Sequence, residues 1–192
     1  MAAAQRFPPS LRDTLRSRLL AERARFAGDV ASGPAEAALA GHLRAIVADL
    51  EPQCLGLYWP HRGEFNAPAA LSDAGGWQDG ARALPFARRV PAEMEYHRWD
   101  GAPPTLTDEC GIPASDGALV VPDVVLVPCV GYTDSGLRLG YGGGYFDRWL
   151  AAHAHVCAVG VAWSWSRLDE AELAAQAHDV RLALVVTEQG AV

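Results

Sequence analysis

A glycine-rich segment is the part of this sequence whose residue types and spacing point most directly to chemistry. It runs Arg138-Leu-Gly-Tyr-Gly-Gly-Gly-Tyr-Phe-Asp147, and four of the five positions from 140 to 144 are glycine. The apolar run Val124–Val127 before it is typical of a buried strand, and Tyr145–Ala152 after it has the composition of a helix. Glycines at such a junction allow positive φ, and the amides at the start of a helix favour a phosphate. The segment therefore predicts an anion site.

Two charged residues flank the glycines and have both structural and functional interpretations. Arg138 is a fixed cation suited to bidentate contact with phosphate. Asp147 falls in the predicted first turn of the helix, where a carboxylate either complements the helix dipole or binds Mg²⁺ beside phosphates. Glycine can also simply make a tight loop. The turn-rich segment Gly131–Gly136 separates the glycines from the strand, which differs from a dinucleotide-binding fingerprint.

Composition excludes several mechanisms. The chain has 192 residues, half of them hydrophobic, and is expected to form one domain over residues 1–192. It contains no lysine, so all 16 basic residues are arginines, which excludes a Walker A loop and a Schiff-base lysine. The net charge of −7 argues against a nucleic-acid partner, because binding to a phosphate backbone needs clustered cations.

Cysteine spacing and hydropathy suggest a cellular setting. The four cysteines lie far apart without a CxxC pair, which indicates reduced thiols rather than disulfides or a metal site. No apolar run is long enough to cross a membrane, and the first residues lack the apolar core of a signal peptide. A cytoplasmic protein with no membrane partner is expected.

The order of helical and strand-like segments predicts an α/β fold, as a single three-layer α/β/α domain with a largely parallel central sheet. Besides the strand and helix around the glycines, the predicted elements are helices from Ser10, from Ser32 to Pro52, over Ala67–Leu71 and over Leu168–Ala175, and strands over Cys54–Trp59, Ala81–Phe86 (interrupted or ended by Pro85), Met94–Trp99, Val156–Val161 and, last, Arg181–Thr187.

The first predicted helix is rich in arginine. Ser10 is placed to cap it, with Asp13 in the pattern of a capping box. Most of its arginines, Arg23 among them, are interpreted as a solvated face. Arg12 and Arg16 are the exceptions, since a helix that begins beside a ligand can direct arginines of its first turns onto phosphate.

A few polar residues outside these segments are weaker candidates. Trp59 and Glu64 lie where a strand leads into a polar loop, a place where ligands bind in α/β proteins. Considered alone, Trp59 is better interpreted as an ordinary aromatic residue at a strand end, and Glu64 as an exposed charge in a loop. His178-Asp179 is a polar pair ahead of the last predicted strand. His153 and His155 are discounted as a metal pair because residues two apart do not share a helical face.

The segment Arg138–Asp147 resembles the signature of the 5-formyltetrahydrofolate cyclo-ligases, also called methenyltetrahydrofolate synthetases. The resemblance covers nearly the whole chain, and the glycine-rich decamer is its specific part. The other matching segments, in the family's order, are Ser10-Leu-Arg12, the loop ending in Gly63-Glu64, Asp108–Pro113, Val124–Pro128, His178-Asp179 and Val185-Val-Thr187.

The resemblance implies a role for each matching residue. It implies ATP contacts from Arg12, Arg138, Leu139, Gly140, Tyr141, Gly142, Gly143, Gly144, Tyr145 and Phe146. It implies folate contacts from Trp59, Glu64, Tyr141, Gly142, Gly143, Gly144 and Tyr145. Arg138 and Tyr145 are the implied catalytic residues, and Asp147 and Asp179 the implied Mg²⁺ ligands. One departure is Pro8, which stands where the family has a lysine that contacts ATP; Arg6 is the hypothetical substitute.

The implied reaction converts 5-formyltetrahydrofolate and ATP to 5,10-methenyltetrahydrofolate, ADP and phosphate, with Mg²⁺ as cofactor and a reduced folate and ATP as the small-molecule partners. A monomer is expected, with a weak homodimer as the alternative. Two other functions stay open at this stage: a non-catalytic folate- or nucleotide-binding relative, and a different α/β enzyme such as a sugar-phosphate isomerase or a dinucleotide-dependent oxidoreductase.

Overall fold

The computed structural model describes residues 10–27, 29, 32–72 and 80–192. Arg6 and Pro8, on which the question of the missing lysine turns, lie outside these residues. In the described part the helices are α1 (Leu11–Ala27), α2 (Ser32–Leu50), α3 (Ala67–Ser72), α4 (Tyr145–Ala152) and α5 (Glu170–Leu173), with a 3₁₀ helix at Ser164–Ser166. The strands are β1 (Cys54–Gly56), β2 (Ala81–Arg88), β3 (Glu93–Trp99), β4 (Leu106–Thr107), β5 (Pro113–Ala114), β6 (Leu119–Val120), β7 (Val124–Pro128), β8 (Gly131–Tyr132), β9 (Arg138–Leu139), β10 (Cys157–Val161), β11 (Leu184–Thr187) and β12 (Gly190–Ala191).

Eight of the described strands form the main sheet in the order β12-β11-β10-β7-β1-β2-β3-β6. The five neighbours from β11 to β2 run parallel, and β12, β3 and β6 are antiparallel additions at the two edges. The predicted α/β class and the largely parallel sheet are confirmed. Because parallel strands end at one edge, the segments after β1 and β7 emerge on the same side of the domain.

Strand β7 shows how the layers are built. Its side chains alternate between the two faces of the sheet, as in any strand. Val124 and Leu126 pack in the core formed with α2 and α3, while Val125 and Val127 pack in the core formed with α4. A third cluster joins α1 to the β8–β9 hairpin through Leu15, Leu19, Leu139 and their neighbours. The last cluster fixes α1 beside the glycine-rich segment.

The structure corrects several predicted elements. Pro85 neither ends nor interrupts β2, because its nitrogen faces the β1 side of the sheet beyond the last β1 pair, where no ladder hydrogen bond is required. The predicted turn-rich segment Gly131–Gly136 belongs to the β8–β9 hairpin. The helix over Leu168–Ala175 is reduced to Glu170–Leu173, and the strand predicted as the last begins at Leu184 and is followed by β12.

No helix within the described ranges combines the length and apolar character needed to cross a membrane.

Gly41 in the middle of α2 gives a prediction about stability. The residue is exposed, and a Cβ atom built on it meets no atom within 4 Å. Since alanine loses less backbone entropy than glycine in a helix, Gly41→Ala is expected to raise the free energy of unfolding by about 0.5–1 kcal/mol. Urea denaturation of the two proteins measures the difference. A lower midpoint for the variant would contradict this account of α2.

Candidate active site

The glycine-rich loop has a backbone that requires glycine at two positions. Gly142 has φ of +95° and Gly144 has φ of +64°, both in the left-handed region that side chains disfavour. Gly144 is also the N-cap of α4 and has no side chain that could cap the helix. The first amides of α4 are therefore left for another acceptor, which is the arrangement that suits a bound anion.

Arg16 of α1 lies directly against this loop. Its Nε donates a 2.7 Å hydrogen bond to the carbonyl oxygen of Gly140, and its Nη1 donates a 2.5 Å bond to Asp13. A Cβ atom on Gly142 would lie 3.3–3.5 Å from the Arg16 guanidinium. The third nitrogen, Nη2, makes no hydrogen bond within the described residues, so a donor is left at the surface of the loop.

Arg138 and Asp147 form a partly buried ion pair. Nη1 of Arg138 lies 2.9 Å from Oδ1 of Asp147, and the Arg138 side chain is only 4% exposed. The same Asp147 oxygen accepts a 3.3 Å bond from the backbone amide of Val180. The guanidinium also faces the ring of Phe146 at 5.8 Å. Arg138 therefore fixes the first turn of α4 through its contacts with Phe146 and Asp147.

Arg12 and Asp179 form a second ion pair. The arginine contacts both carboxylate oxygens at 2.9–3.2 Å, and Asp179 also accepts a 2.7 Å bond from the amide of Gln176. Burial opposes ionisation of Asp179, but these hydrogen bonds and the charge of Arg12 outweigh it and lower the pKa of the carboxyl group. Val180 is the residue after Asp179, and its backbone amide donates to Asp147. The two ion pairs are therefore neighbours.

The two predicted Mg²⁺ ligands thus lie side by side, each paired with a predicted ATP-binding arginine. Both oxygens of Asp179 accept hydrogen bonds from protein donors, whereas the described residues bond to Oδ1 of Asp147 and none of them bonds to Oδ2. Among the described residues no group of three His, Cys, Asp or Glu could hold a metal by itself. Mg²⁺ commonly binds through one or two carboxylates and the phosphates of a nucleotide. The donor set fits a metal that arrives with ATP.

A third polar network lies deeper, around Arg23. The expectation that Arg23 belongs to a solvated face is wrong, because the residue is 2% exposed. Its Nη1 donates to the Tyr141 hydroxyl at 2.8 Å and lies 3.9 Å from Oε1 of Glu64. Burial raises the pKa of Glu64 to about 7, although hydrogen bonds from Tyr141 and the His61 amide and the charge of Arg23 act in the opposite direction.

The helical spacing of residues in α1 could have predicted that Arg23 faces the site. Arg12, Arg16, Leu19 and Arg23 are separated by four, three and four residues, so they share one stripe of α1. The stripe contacts Asp179, Gly140 and Tyr141 in turn. An arginine at helical spacing from an apolar residue such as Leu19 is predicted to face the protein interior. Composition alone does not give this information.

Tyr145 begins α4 and faces the loop Asp108–Pro113. The buried carboxylate of Asp108 folds this loop by accepting bonds from the amides of Ala87, Cys110 and Ile112 at 2.9–3.2 Å. Cys110 Sγ is consequently 3.4 Å from the Tyr145 hydroxyl, and the hydrogen bond between them raises the pKa of Tyr145. The guanidinium of Arg148 lies 5.2 Å from the centre of the Tyr145 ring.

Trp59 is placed differently from the other candidates. Its ring meets Trp99 edge to face at 6.0 Å, and it packs against the core on the α2 and α3 side of the sheet. Among the described residues Glu64 and Tyr141 both contact Arg23 and His61, and neither hydrogen-bonds to Trp59. The structure therefore joins Arg12, Glu64, the glycine loop, Asp147 and Asp179 through neighbouring contacts, and leaves Trp59 outside that chain of contacts.

Comparison with known proteins identifies a family for this fold and site. The 5-formyltetrahydrofolate cyclo-ligase family matches residues 9–188. The 5-formyltetrahydrofolate cyclo-ligase of Mycolicibacterium smegmatis is 33% identical over 198 residues, which cover 93% of this chain and 94% of that protein. The fold is also that of a 5,10-methenyltetrahydrofolate synthetase from Mycoplasma pneumoniae, with a TM-score of 0.71 at 20% identity over 92% of this chain and 98% of the other.

A second solved structure, the NMR structure of Aquifex aeolicus 5,10-methenyltetrahydrofolate synthetase, has a TM-score of 0.72 at 25% identity and covers 95% of this chain and 92% of its own. The match to the family spans the α1 stripe, the glycine loop and Asp179 together. The chain belongs to the 5-formyltetrahydrofolate cyclo-ligase family.

Proposed function

We propose that this protein converts 5-formyltetrahydrofolate and ATP to 5,10-methenyltetrahydrofolate, ADP and phosphate, with Mg²⁺ bound beside the nucleotide. The observation that carries the proposal is the open glycine loop at the start of α4, flanked by Arg16 and by the Asp147 carboxylate. In a member of this family, such a loop supports binding of the ATP phosphates.

The formyl oxygen is a poor leaving group, so the reaction must first convert it to a better one by phosphorylation. The formyl oxygen attacks the γ-phosphorus of ATP, and ADP leaves. N10 then attacks the activated carbon and loses its proton, and the oxygen departs as phosphate, which leaves the methenyl bridge. No side-chain nucleophile takes part. The protein acts by positioning the two substrates and by stabilising negative charge on the phosphates.

Within this proposal the residues have distinct roles. The amides of Gly142, Gly143 and Gly144 and of the following residues cradle phosphate, and Arg16 Nη2 adds a cationic donor. Arg138 acts by holding Asp147, whose carboxylate would bind the metal, and Arg12 acts by holding Asp179 next to it. When bound, Mg²⁺ neutralises phosphate charge.

The folate side of the site is assigned to three residues. Glu64 presents a buried carboxylate that can accept hydrogen bonds from the pterin ring, while Tyr141 and Tyr145 supply aromatic surface at the glycine loop. All of these residues come from one chain, so we propose the monomer as the catalytic unit. The four cysteines are thiols, which supports a reducing, cytoplasmic setting.

The direct test is an assay of purified protein for methenyltetrahydrofolate, whose absorption band is absent from the substrate. The expected result is formation of product that requires both ATP and Mg²⁺, with release of one ADP and one phosphate per product. Binding of ATP and 5-formyltetrahydrofolate without turnover would instead indicate a non-catalytic relative. Absence of binding to both would overturn the proposal.

Arg16 provides a sharper test because α1 carries a matched control. Arg16→Ala is expected to raise KM for ATP about 10-fold or more, since a charge-assisted hydrogen bond is worth about 1.5–3 kcal/mol. Arg18→Ala removes a half-exposed arginine that pairs with Glu172 at 2.6 Å, and a surface pair of this kind contributes little. Steady-state kinetics with ATP as the varied substrate compare them. Equal KM values for the two variants would exclude Arg16 from the phosphate site.

A further inference from the structure

Arg23 is a buried cation that links three separate parts of the site. Besides its bond to the Tyr141 hydroxyl, its Nη2 donates a 2.5 Å bond to the carbonyl oxygen of Cys129, just after the end of β7. Its Nε has no hydrogen-bond partner among the described residues, although the atom is buried. A buried guanidinium is costly unless its charge is compensated. A helix whose only task was to pack would place a hydrophobic residue here.

The charge that compensates Arg23 is the carboxylate of Glu64, whose side chain is 5% exposed. The groups around this carboxylate come from every neighbouring element: Arg23 from α1, Tyr141 from the glycine loop, Tyr58 and the amide of His61 from the segment after β1, and Cys129 from the segment after β7. Burial raises the pKa of Tyr58, Cys129 and Tyr141, and it lowers the pKa of His61. Arg23, 3.9 Å away, is the cation whose charge lowers the pKa of Glu64.

We propose that Arg23 is a positioning residue of the cyclo-ligase, which favours the ionised form of the buried Glu64 and holds Tyr141 of the glycine loop against it. One side chain of α1 thereby connects the carboxylate assigned to the pterin with the loop assigned to ATP. The proposal rests on the proposed function, in which Glu64 and Tyr141 contact the reduced folate.

The ionised form of Glu64 is the one that suits the pterin. A pterin ring presents its 2-amino group and N3–H as two parallel donors, and a carboxylate presents two acceptor oxygens with matching geometry. A protonated acid replaces one of those acceptors with a donor. Affinity for the folate should therefore fall as the pH decreases through the pKa of Glu64, which is about 7 in the folded protein. Removal of Arg23 removes an influence that lowers this pKa, so the fall should occur at higher pH.

The test measures the affinity for 5-formyltetrahydrofolate without ATP, by isothermal titration calorimetry, over a range of pH from about 6 to about 9. In Arg23→Met, which keeps an apolar stem and removes the charge, the midpoint of the pH dependence is expected to rise by about one pH unit. Arg25→Met makes the same change at an exposed position of α1 and should leave the midpoint unchanged. A purely structural role for Arg23 would weaken binding equally at every pH.

Two further variants make the result independent of whether Arg23→Met folds. Glu64→Gln should make affinity independent of pH over this range, and adding Arg23→Met to it should cause no shift. Tyr141→Phe removes a hydrogen bond that lowers the pKa of Glu64 and should raise the midpoint in the same direction. An unchanged midpoint in both Arg23→Met and Tyr141→Phe overturns the proposal. If the wild-type protein forms product in the assay above, that outcome refutes the role of Arg23 and leaves the proposed function intact.

Discussion

Replacement of Asp147 by asparagine is expected to lower kcat by about 100-fold, equivalent to about 2.7 kcal/mol of transition-state stabilisation. An amide oxygen at this position can still accept from Arg138 and from the Val180 amide, so the first turn of α4 keeps its hydrogen bonds. The amide lacks the negative charge that a Mg²⁺ ligand supplies beside ATP. The loss should therefore fall on catalysis and on the Mg²⁺ requirement rather than on the architecture of the loop.

The informative measurement is kcat as a function of Mg²⁺ concentration, together with thermal unfolding. Asp147→Asn should need more Mg²⁺ for half-maximal activity. Asp134→Asn is the matched control, because it makes the same change at a half-exposed aspartate that pairs with Arg167. It should leave kcat and the Mg²⁺ requirement near those of the wild type, since a surface ion pair contributes little. If Asp147→Asn shows the same Mg²⁺ dependence as the wild type, Asp147 is not a metal ligand.

Gly142→Ala is expected to lower kcat/KM for ATP by about 10- to 100-fold. The left-handed φ of +95° costs an alanine about 1–2 kcal/mol, and the new methyl group would lie 3.3 Å from the Arg16 guanidinium carbon. The loop can relieve this strain only by moving its amides or by displacing Arg16. Either movement changes the positions of the donors that face the phosphates, and small displacements of such donors are costly to catalysis.

Gly190 offers a control with similar backbone strain and no role in the loop. It is the first residue of β12 and has φ of +122°, and a Cβ atom there meets nothing within 4 Å. Gly190→Ala should reduce the free energy of unfolding by about the same 1–2 kcal/mol without changing KM for ATP. Denaturant unfolding and ATP kinetics on both variants separate strain from site geometry. Equal ATP kinetics in the two variants would show that Gly142 is needed only for the backbone conformation of the loop and not for the position of its phosphate donors.

The elements predicted best are those specified by local patterns. Helix α4 begins and ends where its composition indicated, because a glycine N-cap precedes a continuous run of helix-forming residues. The Ser10 and Asp13 capping box is confirmed by reciprocal bonds between each side chain and the other residue's amide. Both signals involve residues only a few positions apart. Pro85 was misjudged because its effect on a strand depends on which neighbour its nitrogen faces.

Local sequence patterns could not predict which site residues form ion pairs with each other. Arg138 and Asp147 could be identified from the sequence as a phosphate contact and a metal ligand, but their mutual ion pair depends on how the β8–β9 hairpin directs the chain back to α4. Burial of Arg23 likewise depends on Glu64 and Tyr141, which are distant in the sequence. Charges whose partners lie on other elements resemble solvated charges until the tertiary structure places those partners opposite them.

The ion pair between Arg12 and Asp179 has a consequence for biosynthesis. Its members are 167 positions apart, so a ribosome must extend the chain far beyond Arg12 before the second member exists. Helix α1 is synthesised long before Asp179, but the carboxylate that orients Arg12 is then still missing, and so is strand β11, which pairs with β10. Long-range contacts of this kind form late because the intervening chain must first be ordered. A nascent chain that ends before Asp179 therefore carries α1 and the glycine loop without the ion pair that orients Arg12.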